Sequence, residues 1–267
     1  LLMIRMGIAL PLYGMILAWA WRAAGDKRKA LRLKHYFLAG GVGLLGYYLA
    51  AILDFTGLQY ITAQLERLIL FTYPMLVMLL GALFFGKPIT RTGVLAMVAA
   101  YGGIALIFTR GSIAIGTNVP LGAILVFGAA LSFAFFQLLA VGRIKIMGSA
   151  LFTCVAMMAA SFGVLTHFVI DSLAHNSFSR VTDQPIEIWG LGAAIAIVST
   201  IIPSFLLNIA LGRIGAQKVA IIGMISPLVT VILAVNILHE PFGWIDAAGT
   251  ALIIVGIGLY TWYSRKP

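Results

Sequence analysis

Nine stretches of this chain are long and apolar enough to cross a membrane, and they follow one another with little between them. They fall at about 1–21, 36–57, 61–85, 91–109, 120–141, 148–171, 186–210, 214–238 and 243–263. A spanning helix needs roughly 20 mostly apolar residues. Hydrocarbon offers no water to a backbone N–H or C=O, so a span must be a helix or part of a closed barrel. Barrel strands would alternate over about ten residues, and these runs are apolar throughout. An all-α membrane protein is the expectation. Composition bears on one point: the chain is 62% hydrophobic and 10% charged, where a soluble domain carries about 25% charged residues. Too few polar residues are present to cover a water-facing surface.

Two of these runs repeat each other. Leu58 to Pro88 reads LQYITAQLERLILFTYPMLVMLLGALFFGKP, and Leu211 to Pro241 reads LGRIGAQKVAIIGMISPLVTVILAVNILHEP. At a constant offset of 153 residues (58 onto 211), Ala63-Gln64 falls on Ala216-Gln217, Pro74 on Pro227 and Pro88 on Pro241. The register continues into the next run, where Gly103-Ile104 falls on Gly256-Ile257. An internal repeat governs the architecture before any single motif does.

Orientation follows from lysine and arginine. With the 22–35 connection in the cytoplasm and the spans alternating, the inner connections and tail hold fourteen basic residues. These are Arg22, Lys27, Arg28, Lys29, Arg32, Lys34, Lys87, Arg91, Arg143, Lys145, Arg213, Lys218, Arg265 and Lys266. The outer connections hold Arg110 and Arg180, while Arg5 and Arg67 lie within spans. This asymmetry accounts for the net charge of +10 without a nucleic-acid partner, and it places the C-terminus in the cytoplasm.

Pairing the spans by the repeat leaves 120–141 without a counterpart. Leu1 also begins directly inside a hydrophobic run. The expectation is a protein of two five-helix halves, of which this sequence holds nine helices and lacks the first of ten. The first half then covers 1–110 with four helices and the second 120–263 with five. An odd number of helices per half inverts one against the other. Inverted repeats are typical of secondary transporters, with the substrate near the midplane at the repeat interface.

The order of features in both copies is a small residue, an apolar helix, a proline within it, a Gly-Lys-Pro or His-Glu-Pro ending and a glycine-rich last helix. In this the chain resembles the EamA family of the drug/metabolite transporter superfamily. The stretches LQYITAQLERLILFTYPMLVMLLGALFFGKPIT, GVLAMVAAYGGIALIF and LGRIGAQKVAIIGMISPLVTVILAVNILHEPFGWIDAAGTALIIVGIGLY carry the likeness. The resemblance implies ten spans, both termini in the cytoplasm, and export of small metabolites from a central cavity. Glu66-Arg67 departs from it, since many members are uncharged there.

Charges within spans are costly, about 2.5–3.5 kcal/mol on insertion scales, and are functional candidates by default. Glu66 and Arg67 lie about six residues inside the outer end of their run. Neighbours point about 100° apart on a helix and should not face each other well. Arg5, Asp54, His167 and Asp171 lie at similar depth. One reading makes this group the border of a substrate path, with Glu66 taking up a proton; the other makes Arg5, Asp54, Glu66 and Arg67 a fixed ion-pair network. Pro74 and Pro227 sit mid-run, where proline removes a hydrogen bond and kinks a helix, so they are candidate hinges or static bends. Gln137 and Asn208 could bond a substrate or a neighbouring helix, and Tyr73 could line a cavity or simply pack.

Other chemistry finds no footing. Cys154 is alone, His239-Glu240 has no second histidine at metalloprotease spacing, and no GxSxG or P-loop occurs. Neither a catalytic centre, a metal site nor a cofactor is expected. The expected partners are a small-molecule substrate and the lipid bilayer, with protons as a candidate coupling ion and a homodimer left open. The expected place is a plasma membrane, the bacterial inner membrane in particular. The competing reading is a non-transporting sensor or scaffold that retains the fold.

Overall fold

The computed structural model describes residues 2–23, 25, 31–108, 117–175, 185–226, 229 and 243–263. Among these residues every regular element is a helix. We number them α1 (Leu2–Ala23), α2 (Leu33–Gly57), α3 (Ala63–Leu70), α4 (Tyr73–Phe85), α5 (Arg91–Phe108), α6 (Val119–Met147), α7 (Ser149–His175), α8 (Ile186–Ile214), α9 (Ala216–Gly223) and α10 (Trp244–Tyr263). Among the described residues, six segments are long and apolar enough to span a membrane: α1, α2, α6, α7, α8 and the pair α3–α4, counted as Leu65–Phe85. Shorter apolar helices lie at Arg91–Leu106 and Ala247–Tyr260. The chain is an all-α membrane protein, and the apolar runs read from the sequence correspond to these helices, except that most of the run at 214–238 lies outside the described residues.

The boundaries repeat as the sequence does. At the same offset of 153, the start of α2 at Leu33 falls on that of α8 at Ile186. Ala63–Leu70 falls on Ala216–Gly223, and Arg91, which opens α5, falls on Trp244, which opens α10. Finer features obey the same register. α2 carries a π-helical turn beginning at Leu44, and α8 carries one beginning at Ile197. Such turns insert an extra residue into the i→i−4 ladder and often mark functional positions. The turn Phe71–Thr72 that separates α3 from α4 falls on a turn at Met224–Ile225.

That break corrects the reading of Pro74 as a mid-helix residue. Pro74 stands in the first turn of α4, after the break, where its missing N–H has no intrahelical role to fill. The carbonyls freed by the interruption are met locally. The Thr72 hydroxyl donates to the Ile69 carbonyl at 2.7 Å, and the Tyr101 hydroxyl of α5 donates to the Phe71 carbonyl at 2.7 Å. Pro227 lies outside the described residues. α4 ends at Gly86, whose φ of 60° is the left-handed conformation that glycine adopts at helix ends without a Cβ penalty. Gly148, with φ of 82°, makes the whole joint between α6 and α7.

The helices form two compact units, Leu1–Ile52 with Phe135–Gly215 and Leu53–Ala134 with Ala216–Pro267. Each unit draws helices from both copies of the repeat. In the first unit, α7 packs against α1, α2 and α8. Small residues allow this: a Cβ on Gly43 would land on the Ala156 backbone, and one on Gly46 would strike the Phe136 ring. Met6, Ala9 and Tyr13 of α1 close on Cys154, Met157 and Val164 of α7 and on Ala196 and Ile201 of α8. In the second unit, α5 and α10 form the most intimate pair, with Gly103 against the Gly249 carbonyl. Their core joins Met78, Ala100, Ile104, Ile221, Met224, Ile253 and Tyr260. Membrane interiors supply little hydrophobic drive between helices, so close approach and packing carry such contacts.

Candidate functional site

The charged residues singled out above divide between the two units. Arg5, His167 and Asp171 belong to the first; Asp54, Glu66 and Arg67 belong to the second.

In the second unit, α2 ends at Gly57 and the chain reverses through 58–62. The Leu58 N–H bonds the Asp54 carbonyl at 2.9 Å, and the Tyr60 N–H bonds the Gly57 carbonyl at 2.9 Å. Gly57 also lies against Val126 of α6. The reversal brings Asp54, in the last turn of α2, beside Glu66, in the first turn of α3. The two carboxyl groups come close enough to interact, with Arg67 adding its charge beside both. Glu66 is buried at 3% exposure, and its Oε2 is 3.4 Å from Nε of the exposed Arg67. The expectation that adjacent side chains could not meet is thus overturned. Both are long, and their torsions bring the tips together although their Cβ atoms diverge. Glu66 is also shallower than the sequence suggested, because its helix begins at Ala63. There its charge is favoured by the helix dipole.

The chemistry of this group is specific. An ionised carboxylate only accepts hydrogen bonds, so two carboxyl groups side by side repel when both are ionised and can bond each other only when one holds a proton. With Arg67 alongside, the singly protonated group carries no net charge, which suits a low-dielectric setting. The remaining Asp54 oxygen, Oδ1, is buried without a hydrogen-bond partner. The repeat places Leu207, Val219 and Ala220 at the positions of Asp54, Glu66 and Arg67, so the group belongs to one copy alone.

Tyr73 stands just past the break in the same unit. Its ring meets Phe133 edge-on with centroids 5.5 Å apart, and its hydroxyl lies against Gly223 at the end of α9.

The first unit holds the amide candidates. Asn208 is fully buried, and its Nδ2 donates to the Tyr47 hydroxyl at 3.1 Å while its Oδ1 has no partner. The Tyr47 ring lies edge-on to Phe136 at 4.7 Å. Gln137, next in sequence, is 1% exposed with Oε1 unpartnered. Tyr13, which the sequence reading passed over, shares a 2.8 Å hydrogen bond with Ser204; spacing gives no signal for a pair 191 residues apart. Nε of Arg5 is buried without a hydrogen-bond partner. His167 is met by Tyr48, whose hydroxyl is 3.0 Å from Nδ1. Asp171 pairs with His175 at 3.1 Å.

Long apolar helices in two repeated sets, interrupted at matching positions and carrying a few buried polar groups, define a multi-pass membrane protein of repeated architecture. The sequence pattern of the EamA-like transporter family matches residues 1–109 and again residues 120–262, and the chain belongs to that family. It is 27% identical over 248 residues to the uncharacterized transporter YcbK of Bacillus subtilis (strain 168), covering 93% of this chain and 78% of that protein. An uncharacterized transporter of Methanothermobacter thermautotrophicus is 25% identical over 243 residues, covering 90% of this chain and 69% of its own length. A solved crystal structure shares the fold with a TM-score of 0.77, over 98% of this chain and 89% of that one, at 16% identity.

Proposed function

We propose that this transporter is a proton-coupled secondary carrier that exports a small metabolite across a bacterial plasma membrane, with its C-terminus in the cytoplasm. The observation that carries the reading is the closeness of the Asp54 and Glu66 carboxyl groups beside Arg67, an arrangement suited to holding one proton and to releasing or regaining it. Alternating access of two inverted halves, 1–110 and 120–263, would expose the pair to each side in turn. Matching interruptions in the two copies support this, because discontinuous helices are the usual means by which transporter repeats form a site and flex around it. The break ahead of Pro74 is the flexing point of the first copy, and the position of Pro227 is its counterpart. Arg5, Gln137, Asn208, Tyr73 and His167 are the polar and aromatic groups available to a substrate path.

The test is transport by the full-length protein in proteoliposomes under an imposed pH gradient, with candidate metabolites taken from profiling cells with and without it. A carrier of this kind moves substrate in response to the gradient and loses that response in Glu66→Gln. Transport that ignores the gradient, in the native protein, would remove the proton from the mechanism.

A further inference from the structure

Along the seam between α2 and α7, within the first compact unit, runs a groove of about 660 Å³ that the transport reading touches only at His167. Its walls are apolar over most of their length, with Leu44, Phe162 and Ile170 among them, and its end is polar, with Tyr48, His167 and Asp171. A second groove of about 320 Å³ shares Leu44 and Ala159 with the first and continues toward Leu33 and Val155. From Val155 to His175 is twenty positions of one helix, about 30 Å at 1.5 Å per residue, which is the hydrocarbon thickness of a bilayer. The polar end lies at the far end of α7 from the Gly148 joint, whose preceding turns carry Arg143 and Lys145.

We propose that this groove holds a bilayer phospholipid whose headgroup carries a primary ammonium, the acyl chain lying along the apolar seam and the ammonium on Asp171. Three features of the groove select that occupant. Among the described residues lining it, Asp171 is the one carboxylate and none is lysine or arginine, so the charge it complements is positive. The Asp171 side chain is about half exposed and its partner His175 more so, at 51% and 67%, which leaves the carboxylate reachable. The apolar stretch past Ile170 and Phe162 leads from Asp171 toward the bilayer centre and suits an acyl chain rather than a compact solute. His167, held by Tyr48 at 3.0 Å, and His175 line the same polar end.

Native mass spectrometry of the full-length protein in detergent tests this without reference to transport. The protein is titrated with phosphatidylethanolamine, phosphatidylcholine and phosphatidylglycerol of identical acyl chains. The ethanolamine lipid should bind about tenfold more tightly than the glycerol lipid, the worth of one charge-assisted hydrogen bond. It should also exceed the choline lipid, which has no ammonium N–H. Asp171→Asn should bring it down to the choline level, and Ile170→Trp, which fills the apolar part, should weaken all three. Equal binding of the three lipids by the native protein would overturn the proposal, and that comparison needs no variant to fold. Competition by free phosphoethanolamine at lipid-like concentrations would also overturn it, since a soluble amine would then be the occupant.

Discussion

The break between α3 and α4 is held by two side chains that its counterpart lacks, so the two copies should differ in stiffness. Thr72 and Tyr101 donate hydroxyl hydrogen bonds to Ile69 and Phe71; the corresponding residues of the second copy are Ile225 and Ile254. Tyr101→Phe keeps the ring and deletes the donor to the Phe71 carbonyl. An orphaned buried carbonyl costs about 1–3 kcal/mol. Thr72→Val should cost less, about 0.5 kcal/mol, near the average for hydrogen bonds within membranes. The reason is that the Ile69 carbonyl keeps the Thr72 N–H at 2.9 Å. Hydrogen–deuterium exchange of the amides at 71–73, 75 and 76 reads the local effect directly. In Tyr101→Phe these amides should exchange about 5- to 150-fold faster, the factor that matches such an energy, while amides in α7 stay as they were. Unfolding in mixed micelles should show a matching loss. If Tyr101→Phe changes neither exchange at the break nor stability, the hydroxyl is not what holds it, and the argument for unequal breaks fails.

Other perturbations follow from the same contacts. Gly43→Leu drives a side chain into the Ala156 backbone, and overpacking of this kind costs about 1–3 kcal/mol; lowered yield and thermal stability of the purified protein would register it. Asn208→Ala leaves the Tyr47 hydroxyl without its 3.1 Å partner and should destabilise by about 1 kcal/mol, whereas a stability equal to the native protein would show the bond to be idle. Pro74→Ala lets the helix continue through the break and should slow turnover while leaving stability within about 1 kcal/mol, because proline in a first turn is well tolerated. Full turnover would make Pro74 a matter of shape.

Much of the fold was legible because the bilayer leaves so few choices. Apolar runs of spanning length had to be helices, and the observed elements follow them closely, with α6 continuing through Arg143 and Lys145 to Met147. The repeat was visible in the Ala-Gln pairs and prolines, and helix boundaries obey the same offset. What escaped the sequence depends on how the chain turns in space. The grouping of helices into units that cut across the repeat is decided by interhelical packing, such as Gly43 on Ala156 and Gly103 on Gly249. No periodicity along one helix reports such contacts. The break at Phe71–Thr72 was masked by uninterrupted hydrophobicity; the Thr72 and Pro74 spacing was its one trace. Asp54 and Glu66 were each noted for their depth, but only the reversal at 58–62 makes them a pair. Their burial and Arg67's approach then follow from side-chain length, which an argument from Cβ directions misses.

The central claim is that the Asp54–Glu66 pair carries the coupling proton. It is tested most directly by recording internal pH in proteoliposomes while substrate crosses, for the native protein, Glu66→Gln and Asp54→Asn. Proton movement that accompanies substrate in the native protein, and that disappears in both variants while substrate still binds, is the predicted result. Proton movement that persists unchanged in both variants would contradict it.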